Sequence, residues 1–175
     1  MADCVNALKE WTGTFKATII YDSTVDEFTD DGLFNKVKGK KNVALIAFTS
    51  DGDVFGGFYS VAVTKKEEWF FDPNIFAFSF ESHGRCMTPQ RFMVCEGLKE
   101  NAEVRFWKND RCAFVTFGVF DEGGFCLGNE RSFSYCDEVS SAFDRLEDTT
   151  LTGKNCTYDN GPFHHCARLV AVQLA

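Results

Sequence analysis

The stretch NVALIAFTSDGDVFGGFYS, residues 42–60, contains two apolar runs separated by a short polar turn. Asn42 to Thr49 is an apolar run bounded by turn residues, which predicts a buried strand. Asp51-Gly52 is a strong hairpin signal and predicts a type I′ turn, which requires positive φ at both central residues. Val54 to Val63 is then the returning strand. The stretch therefore predicts an antiparallel hairpin.

Three glycines lie close together in this hairpin, at Gly52, Gly56 and Gly57, and raise the alternative of a phosphate-binding loop. Such a loop has the pattern G-x-x-x-x-G-K-[ST] between a strand and a helix. The spacing here differs, no Lys-Ser or Lys-Thr follows, and the next segment has strand character. A glycine inside a strand typically marks a bulge or the close approach of another backbone or ring. We therefore expect Gly56 and Gly57, with the neighbouring rings of Phe55 and Phe58, to be structural.

The remaining chain alternates short apolar runs with Gly, Asn and Asp. That pattern predicts mostly β structure with two or three short helices at its margins, an α+β fold built as a β-sandwich or a barrel. The strands expected outside the hairpin are Phe15–Tyr21, Asn74–Glu81 with Phe76, Phe78 and Phe80 on one face, several runs between 91 and 136, and residues 166–175. The expected helices are Cys4–Trp11, a segment capped by Ser23 or Thr24 and ended by Gly39, and, as an alternative to a loop, residues 137–148.

The size and charge of the chain limit the class of protein to which it can belong. Its 175 residues fit one domain, 1–175, of which residues 1–12 form an N-terminal helical extension. The net charge of −8 disfavours nucleic acid as a partner, and we interpret the lysines at 36–41, 65 and 66 as solvated. No apolar run has the roughly 18 residues of a membrane span, and the N-terminus lacks a signal-peptide core. We therefore expect no membrane insertion, a cytoplasmic location, and thiols at the eight cysteines.

Two clusters of polar residues raise the question of a bound metal. The first is acidic and comprises Asp22, Asp26, Asp30 and Asp31. A calcium loop with Gly32 at its sixth position would have Lys38 where a glutamate is needed. The second cluster comprises Cys156, His164, His165 and Cys166. Adjacent histidines in a strand point to opposite faces, and the spacing matches no standard zinc module. The sequence therefore predicts no metal and no cofactor.

A nucleophile and a base lie close together in FESHGRCM, residues 80–87. Glu81, His83 and Cys86 are a possible nucleophile–base set. Catalytic groups usually converge from distant segments, and the sequence contains neither a nucleophile-elbow motif nor a zinc-protease motif. We therefore predict no catalytic residue. A thiol-dependent antioxidant or hydrolytic enzyme that uses Cys86 is the alternative.

Seven stretches of the sequence, taken in their order along the chain, form a pattern that is typical of a known domain family. They are Tyr21-Asp22-Ser23, Phe28–Lys36, Val43–Thr49, Val54-Phe55-Gly56-Gly57-Phe58, Asp72, Phe76-Ala77-Phe78-Ser79-Phe80 and Thr157–Phe163. In this order they resemble the TLDc domain family, and the similarity runs from about Trp11 to the end of the chain. Ala171 and Gln173 depart from the pattern, in which the last strand usually carries a glutamate followed by an aromatic residue.

The resemblance implies a two-sheet antiparallel β-sandwich, and we expect a stand-alone domain. It implies roles in resistance to oxidative stress and, in several members, binding and regulation of the vacuolar proton ATPase, with no established catalytic residues. The structural family motif comprises Asp51, Gly52, Phe55, Gly56, Gly57 and Phe58. We therefore expect a protein that acts by binding a protein partner, with vacuolar proton ATPase subunits as the leading candidate.

Trp69 and Phe70, in KKEEWFFDP at residues 65–73, are the candidate anchors for that partner, because a few aromatic or Arg residues carry most of the energy of an interface. The alternative is that both rings pack into the core. A lipocalin-like barrel with a Phe-lined cavity is a further alternative, although the G-x-W start of such barrels is replaced here by Trp11-Thr12-Gly13, in the reverse order.

Overall fold

The computed structural model describes residues 2–108, 113–129, 131, 134–154 and 163–175. Its helices are α1 (Ala2–Thr12), α2 (Asp30–Val37) and α3 (Val139–Ala142), with a 3-10 helix at Glu96–Asn101. Its strands are β1 (Ala17–Asp22), β2 (Val43–Thr49), β3 (Val54–Tyr59), β4 (Trp69–Phe71), β5 (Phe76–Glu81), β6 (Gln90–Met93), β7 (Ala102–Phe106), β8 (Val115–Val119), β9 (Gly123–Leu127), β10 (Cys136–Asp137) and β11 (Cys166–Leu174). The prediction of a mostly β, α+β fold with short helices is confirmed.

The strands form two antiparallel sheets. The first has the order β1-β11-β2-β3-β5-β6, and the second has the order β10-β9-β8-β7-β4. Buried residues of both sheets belong to one shared core cluster, as in a sandwich. Among the described residues each sheet ends in two edge strands, so neither closes on itself. The lipocalin-like alternative requires a closed barrel and is therefore wrong.

The hairpin between β2 and β3 is confirmed, but its turn differs from the prediction. The Thr49 N–H donates to the Asp53 carbonyl (2.9 Å), and the Gly52 N–H donates to the Thr49 carbonyl (3.1 Å), so the two bonds enclose a three-residue loop. Gly52 has a φ of 95°, whereas the φ of Asp51 is not positive. The type I′ prediction is therefore wrong, since that turn requires positive φ at both central residues.

Strand β3 ends at Tyr59 and not at Val63, where the sequence placed its end. The Ser60 N–H donates to Asp72 Oδ2 (2.5 Å), and the Ser60 hydroxyl donates to Asp72 Oδ1 (2.8 Å). Asp72 is fully buried, so its carboxylate needs these donors. The two bonds satisfy Ser60 without a strand partner, which lets the chain leave the sheet at this point.

The two glycines of β3 lie where other atoms approach the strand closely. A Cβ atom on Gly57 would lie 2.8 Å from the ring of Phe117, which belongs to β8 in the opposite sheet. A Cβ atom on Gly56 would lie 1.8 Å from the Leu45 carbonyl oxygen and 2.8 Å from the Phe78 ring. Because interiors are close-packed, both positions lack room for any side chain. The glycines therefore let a ring of the second sheet reach the backbone of the first.

Helix α1 covers the outer face of the first sheet. Trp11 stacks on Phe80 with ring centres 5.7 Å apart, and it lies 6.3 Å from Phe76 and 6.2 Å from Phe78. Leu8 of α1 is fully buried within the same cluster. The prediction that the three phenylalanines of β5 share one face is confirmed, and that face is the one that meets α1.

Helix α2 begins later than predicted. Its N-cap is Thr29, whose hydroxyl accepts a hydrogen bond from the Gly32 N–H (3.0 Å). The prediction of Ser23 or Thr24 as the cap is wrong. Ser23 Oγ instead accepts a hydrogen bond from the Leu169 N–H of β11 (3.0 Å), and Thr24 lies in a turn. Ser23, which the local sequence predicts as the cap of α2, is therefore bound instead by the backbone of Leu169, a residue distant in sequence.

Lys66 forms ion pairs, whereas the sequence pattern predicts a solvated lysine. Its side chain is 6% exposed, and its ammonium group contacts Asp30 and, at 2.6 Å, Asp31, the first two residues of α2. The Lys66 Nζ atom also lies 5.5 Å from the centre of the Phe34 ring. The interpretation is wrong for Lys66 because two carboxylates compensate for its desolvation. Lys65 remains exposed.

Two other predicted elements are shorter than expected. The first strand begins at Ala17, and Phe15, which the sequence placed in it, is 95% exposed. Residues 137–148 contain a single helical turn, α3, rather than a longer helix. The predicted helix at Cys4–Trp11 is present as α1, and the predicted last strand is present as β11.

We expect the substitution Gly57→Val to lower the free energy of unfolding by about 1–3 kcal/mol or more, because the added methyl groups would overlap the Phe117 ring. Urea unfolding followed by circular dichroism measures the change. Gly97→Val is the matched control, since nothing lies within 4 Å of a Cβ atom at Gly97. A Gly57→Val protein with unchanged stability would contradict the structural role of this residue.

Candidate interaction surface

On the outer face of the second sheet, side chains point away from the sandwich core. In β7, Ala102, Val104 and Phe106 are buried, while Glu103 and Arg105 are partly exposed. Strand register aligns these two residues with partners in the neighbouring strands, in two rows. The aromatic row consists of Trp69, Arg105, Thr116 and Cys126. The acidic row consists of Phe71, Glu103, Gly118, Gly124 and Asp137.

Trp69 presents its ring at the edge of the aromatic row. The guanidinium carbon of Arg105 lies 5.3 Å from the centre of the Trp69 ring and 3.9 Å from that of Trp107. The two indoles meet edge to face at 6.1 Å. Cation–π contacts of this kind fix the orientation of both partners. Trp69 is nevertheless 41% exposed, so its ring is held in place and still faces solvent.

Hydrogen bonds hold Arg105 and Trp107 in position. Arg105 Nη2 donates to Glu67 Oε2 (2.8 Å), and Glu67 Oε1 accepts from the Lys108 N–H (2.6 Å). Trp107 Nε1 donates to Thr116 Oγ1 (2.7 Å). The groups that support Trp69 are therefore ordered before any partner arrives.

The two candidate anchors from the sequence lie in different environments. They belong to β4, an edge strand that pairs with β7. Phe70 packs partly against the shared core, whereas Trp69 lies on the outer face, because neighbouring residues of a strand point to opposite sides. The structure thus leaves Trp69 as the ring of the pair that is available to a partner.

The acidic row crosses all five strands of the second sheet. A cavity of about 390 Å³ lies over it, and Trp69 of the aromatic row also lines this cavity. Burial raises the pKa of the Glu103 carboxyl. Burial, with repulsion from Glu138 and Asp148, raises the pKa of the Asp137 carboxyl. The other acidic residues of the lining are Asp121, Glu122 and Glu138. The cavity is therefore negatively charged.

Asp51 and Gly52, the first residues of the structural family motif, form contacts that fasten the hairpin turn. The Asp51 carboxylate pairs with Lys154 (2.5 Å), which lowers the pKa of that carboxyl. His83 Nε2 lies 2.8 Å from the Asp51 carbonyl oxygen, and the His83 ring lies against Gly52. The Lys154 and His83 side chains therefore hold the hairpin turn in place.

Phe55 and Phe58 of the same motif point to opposite faces of β3. Phe55 lies in the shared core, with its ring 6.0 Å from that of Phe125 in the second sheet. Phe58 stacks on Phe76 of β5 at 4.8 Å, in the cluster under α1. Both rings therefore pack against neighbouring layers on either side of Gly56 and Gly57.

A buried ion pair beside the turn is not among the features predicted from the sequence. Asp53 is 2% exposed, and its carboxylate contacts the Arg85 guanidinium. Arg85 Nε also donates to the Thr150 carbonyl (3.0 Å), and the Asp53 N–H donates to Thr49 Oγ1 (3.0 Å). The available signal was an aspartate directly before an otherwise apolar strand. The pair joins the hairpin to two later loops.

The possible nucleophile–base set does not assemble into a linked group. Glu81 Oε1 accepts hydrogen bonds from the backbone N–H groups of Ser82 and His83. The His83 ring is directed to the Asp51 carbonyl, and Cys86 packs partly against the core. Among the described residues, no hydrogen bond joins the Cys86 thiol to His83 or Glu81.

The residues considered for a metal site also separate. His164 and Cys166 are buried and His165 is exposed, as the sequence predicted for adjacent histidines, while Cys156 lies outside the described residues. Burial raises the pKa of the Cys166 thiol to about 12. Within the described ranges, no three His, Cys, Asp or Glu side chains are grouped so as to hold a metal ion. Of the helices described, none has the length and apolar character that crossing a bilayer requires.

The two rows of the outer face were not recognised from the sequence. A local signal was present in AEVRFW, residues 102–107, where alternation places Glu103, Arg105 and Trp107 on one side of a strand. The partners of these residues come from β4, β8, β9 and β10. Only the register shows that two glycines separate Glu103 from Asp137.

Comparison with known protein families gives a match that covers most of the chain. The sequence model of the TLDc domain matches residues 4–164. A comparison with curated proteins gives no significant match.

His164 generates a prediction about pH, because burial lowers its pKa to about 3 from an ordinary value of about 6.5. As the pH falls below 6.5, the unfolded chain takes up a proton that the folded chain does not. The stabilisation is therefore complete above pH 6.5 and is lost progressively toward pH 3. We expect His164 to lower the free energy of unfolding by about 1–2 kcal/mol between pH 6.5 and pH 5.

Urea unfolding over this pH range measures the effect in the wild type and in two matched variants. His164→Gln removes the buried imidazole and should flatten the dependence on pH, whatever its effect on stability at neutral pH. His165→Gln removes the adjacent, exposed imidazole and should change the dependence on pH much less than His164→Gln does. A His164→Gln protein with the wild-type slope would contradict the assignment.

Proposed function

Because the chain belongs to the TLDc domain family, we propose that it acts by binding another protein and not by catalysing a reaction. The observation that carries the proposal is the exposed Trp69 ring, which Arg105 and Trp107 hold in place on the outer face of the second sheet. This surface is the binding site that we propose.

The composition of the aromatic row supports this role. Trp and Arg are enriched among the residues that dominate binding energy at protein interfaces. Binding is weakened when side chains must be ordered on association. Arg105 is already fixed by Glu67, and Trp107 by Thr116. A partner that covers Trp69 would therefore gain apolar contact at a small entropic cost.

The partner that we propose is a cytoplasmic complex, with the vacuolar proton ATPase as the first candidate. By binding and regulating it, the protein would contribute to resistance to oxidative stress. The sequence resemblance to the TLDc family supports this choice of partner. The net charge of −8 also favours a protein over nucleic acid.

The state of the cysteines supports binding over thiol chemistry. A reactive cysteine requires an accessible thiolate. Cys126, Cys136 and Cys166 are buried, and burial raises the pKa of Cys166 to about 12. Cys86 is partly exposed, but no hydrogen bond joins it to His83 within the described part of the chain. At these four cysteines the geometry therefore favours the binding proposal over the enzyme alternative, while Cys4 and Cys95 are also partly exposed.

We expect Trp69→Ala to reduce capture of vacuolar proton ATPase subunits from cells by about tenfold or more, as truncation of a central aromatic residue does at an interface. The measurement is affinity capture with quantitative mass spectrometry under oxidising and reducing conditions. Phe15→Ala is the matched control, since Phe15 is an aromatic residue that is 95% exposed and lies outside the second sheet. Both variants should keep the wild-type melting temperature within a few degrees.

Two results would contradict the proposed function. One is that wild-type protein enriches no ATPase subunit. The other is that purified protein decomposes peroxide with turnover that Cys86→Ser abolishes, which would favour the enzyme alternative. Equal capture by wild type and Trp69→Ala would show that the partner binds at a different surface.

A further inference from the structure

Two carboxylates of the acidic row, those of Glu103 and Asp137, form no direct ion pair with any residue that the structure describes. Within the described residues, neither Glu103 nor Asp137 accepts a hydrogen bond at its side chain or has a cation within 4 Å. The charge of Arg105, in the neighbouring row, partly opposes the rise in the pKa of Glu103, but the Arg105 guanidinium is engaged directly by Glu67 and Trp107. A partly desolvated carboxylate without a partner costs free energy. A cation placed beside it would recover that cost.

The space between the two carboxylates is a trough without side chains. Gly118 and Gly124 are cross-strand partners, and they lie between Glu103 and Asp137 in the row. Three strand spacings separate the two acidic residues, so their Cα atoms lie about 14 Å apart. A single metal ion cannot bridge this distance, because carboxylate oxygens bind metals at about 2–2.6 Å. Long cationic groups that enter from outside fit the distance better.

The walls of the trough add charge and apolar surface. Asp121, Glu122 and Glu138 line the cavity together with the acidic row. The Phe120 ring also lines the cavity and is more than half exposed. Lys and Arg side chains combine an apolar stem with a cationic head, so they match both features of the walls.

We propose that the trough over the acidic row, between Glu103 and Asp137, binds Lys or Arg side chains of an extended segment of a partner protein. The charge of the trough selects a basic segment. Trp69 lines the same cavity, so the trough continues the surface to which the partner docks. The occupant is therefore part of that partner and not a free polyamine.

This inference rests on the proposed function, and it is tested with a defined probe. The probe is a fluorescein-labelled peptide of alternating lysine and glycine, and fluorescence anisotropy measures its affinity at low and at physiological ionic strength. We expect the double variant Glu103→Gln/Asp137→Asn to bind it about tenfold more weakly or worse, as loss of charge-assisted hydrogen bonds does. Binding should weaken with salt, and the same peptide with every lysine acetylated should not bind.

A matched variant separates the trough from the general charge of the protein. Asp3→Asn/Glu10→Gln changes the net charge by the same two units at exposed positions of α1, and it should bind the peptide with wild-type affinity. In two-dimensional NMR, the amide signals of Gly118 and Gly124 should shift on titration with the peptide. Equal weakening in both double variants, or binding that leaves these two signals unmoved, would overturn the inference. Tight binding of spermine without binding of the peptide would also overturn it.

The two proposals can fail separately. If Trp69→Ala loses capture of the cellular partner while Glu103→Gln/Asp137→Asn retains both that partner and the peptide, the inference about the trough is wrong and the proposed function stands. If the carboxylate variant loses the peptide while Trp69→Ala captures the partner normally, the assignment of the aromatic row is wrong.

Discussion

The contact between the Phe117 ring and the backbone at Gly57 sets how closely the two sheets approach. Phe117 stacks on Phe125 with ring centres 5.3 Å apart, and Phe125 in turn meets Phe55 and Phe143. A chain of rings thus runs from β3 through the second sheet. Because neighbours in a strand alternate, an inward Phe117 requires an outward Thr116 and Gly118. The outer face that carries both rows therefore depends on a contact in the core.

The amino-acid sequence was a good guide where structure depends on neighbours along the chain. The β2–β3 hairpin, helix α1 and the shared face of the phenylalanines in β5 follow from local periodicity and turn residues. The sequence was a poor guide where a side chain binds a residue that is distant along the chain instead of a neighbouring one. Ser23 binds the backbone of Leu169 and not the start of α2, and Lys66 finds its acids at the N-terminus of α2. No local pattern contains that information.

The candidate surface was likewise predictable from the sequence only in part. The alternation within β7 could be read from the sequence, and Trp69 was selected as an anchor on composition alone. Which of Trp69 and Phe70 faces solvent depends on how β4 pairs at the sheet edge. The trough depends on cross-strand register between residues as distant as Glu103 and Asp137. Register is set by the packing of the whole sheet, so the trough could not be predicted from neighbouring residues in the sequence.

The positions of the three tryptophans have a spectroscopic consequence. Trp11 lies over the outer face of the first sheet, while Trp69 and Trp107 lie on the outer face of the second. The largest side chains buried between the sheets are phenylalanine and tyrosine rings, whose emission is far weaker than that of indole. The intrinsic fluorescence of this protein therefore reports mainly on the two outer faces and only weakly on the interior between the sheets. Loosening of α1, which carries Trp11, or of the edge strand β4, which carries Trp69, would each change the indole emission.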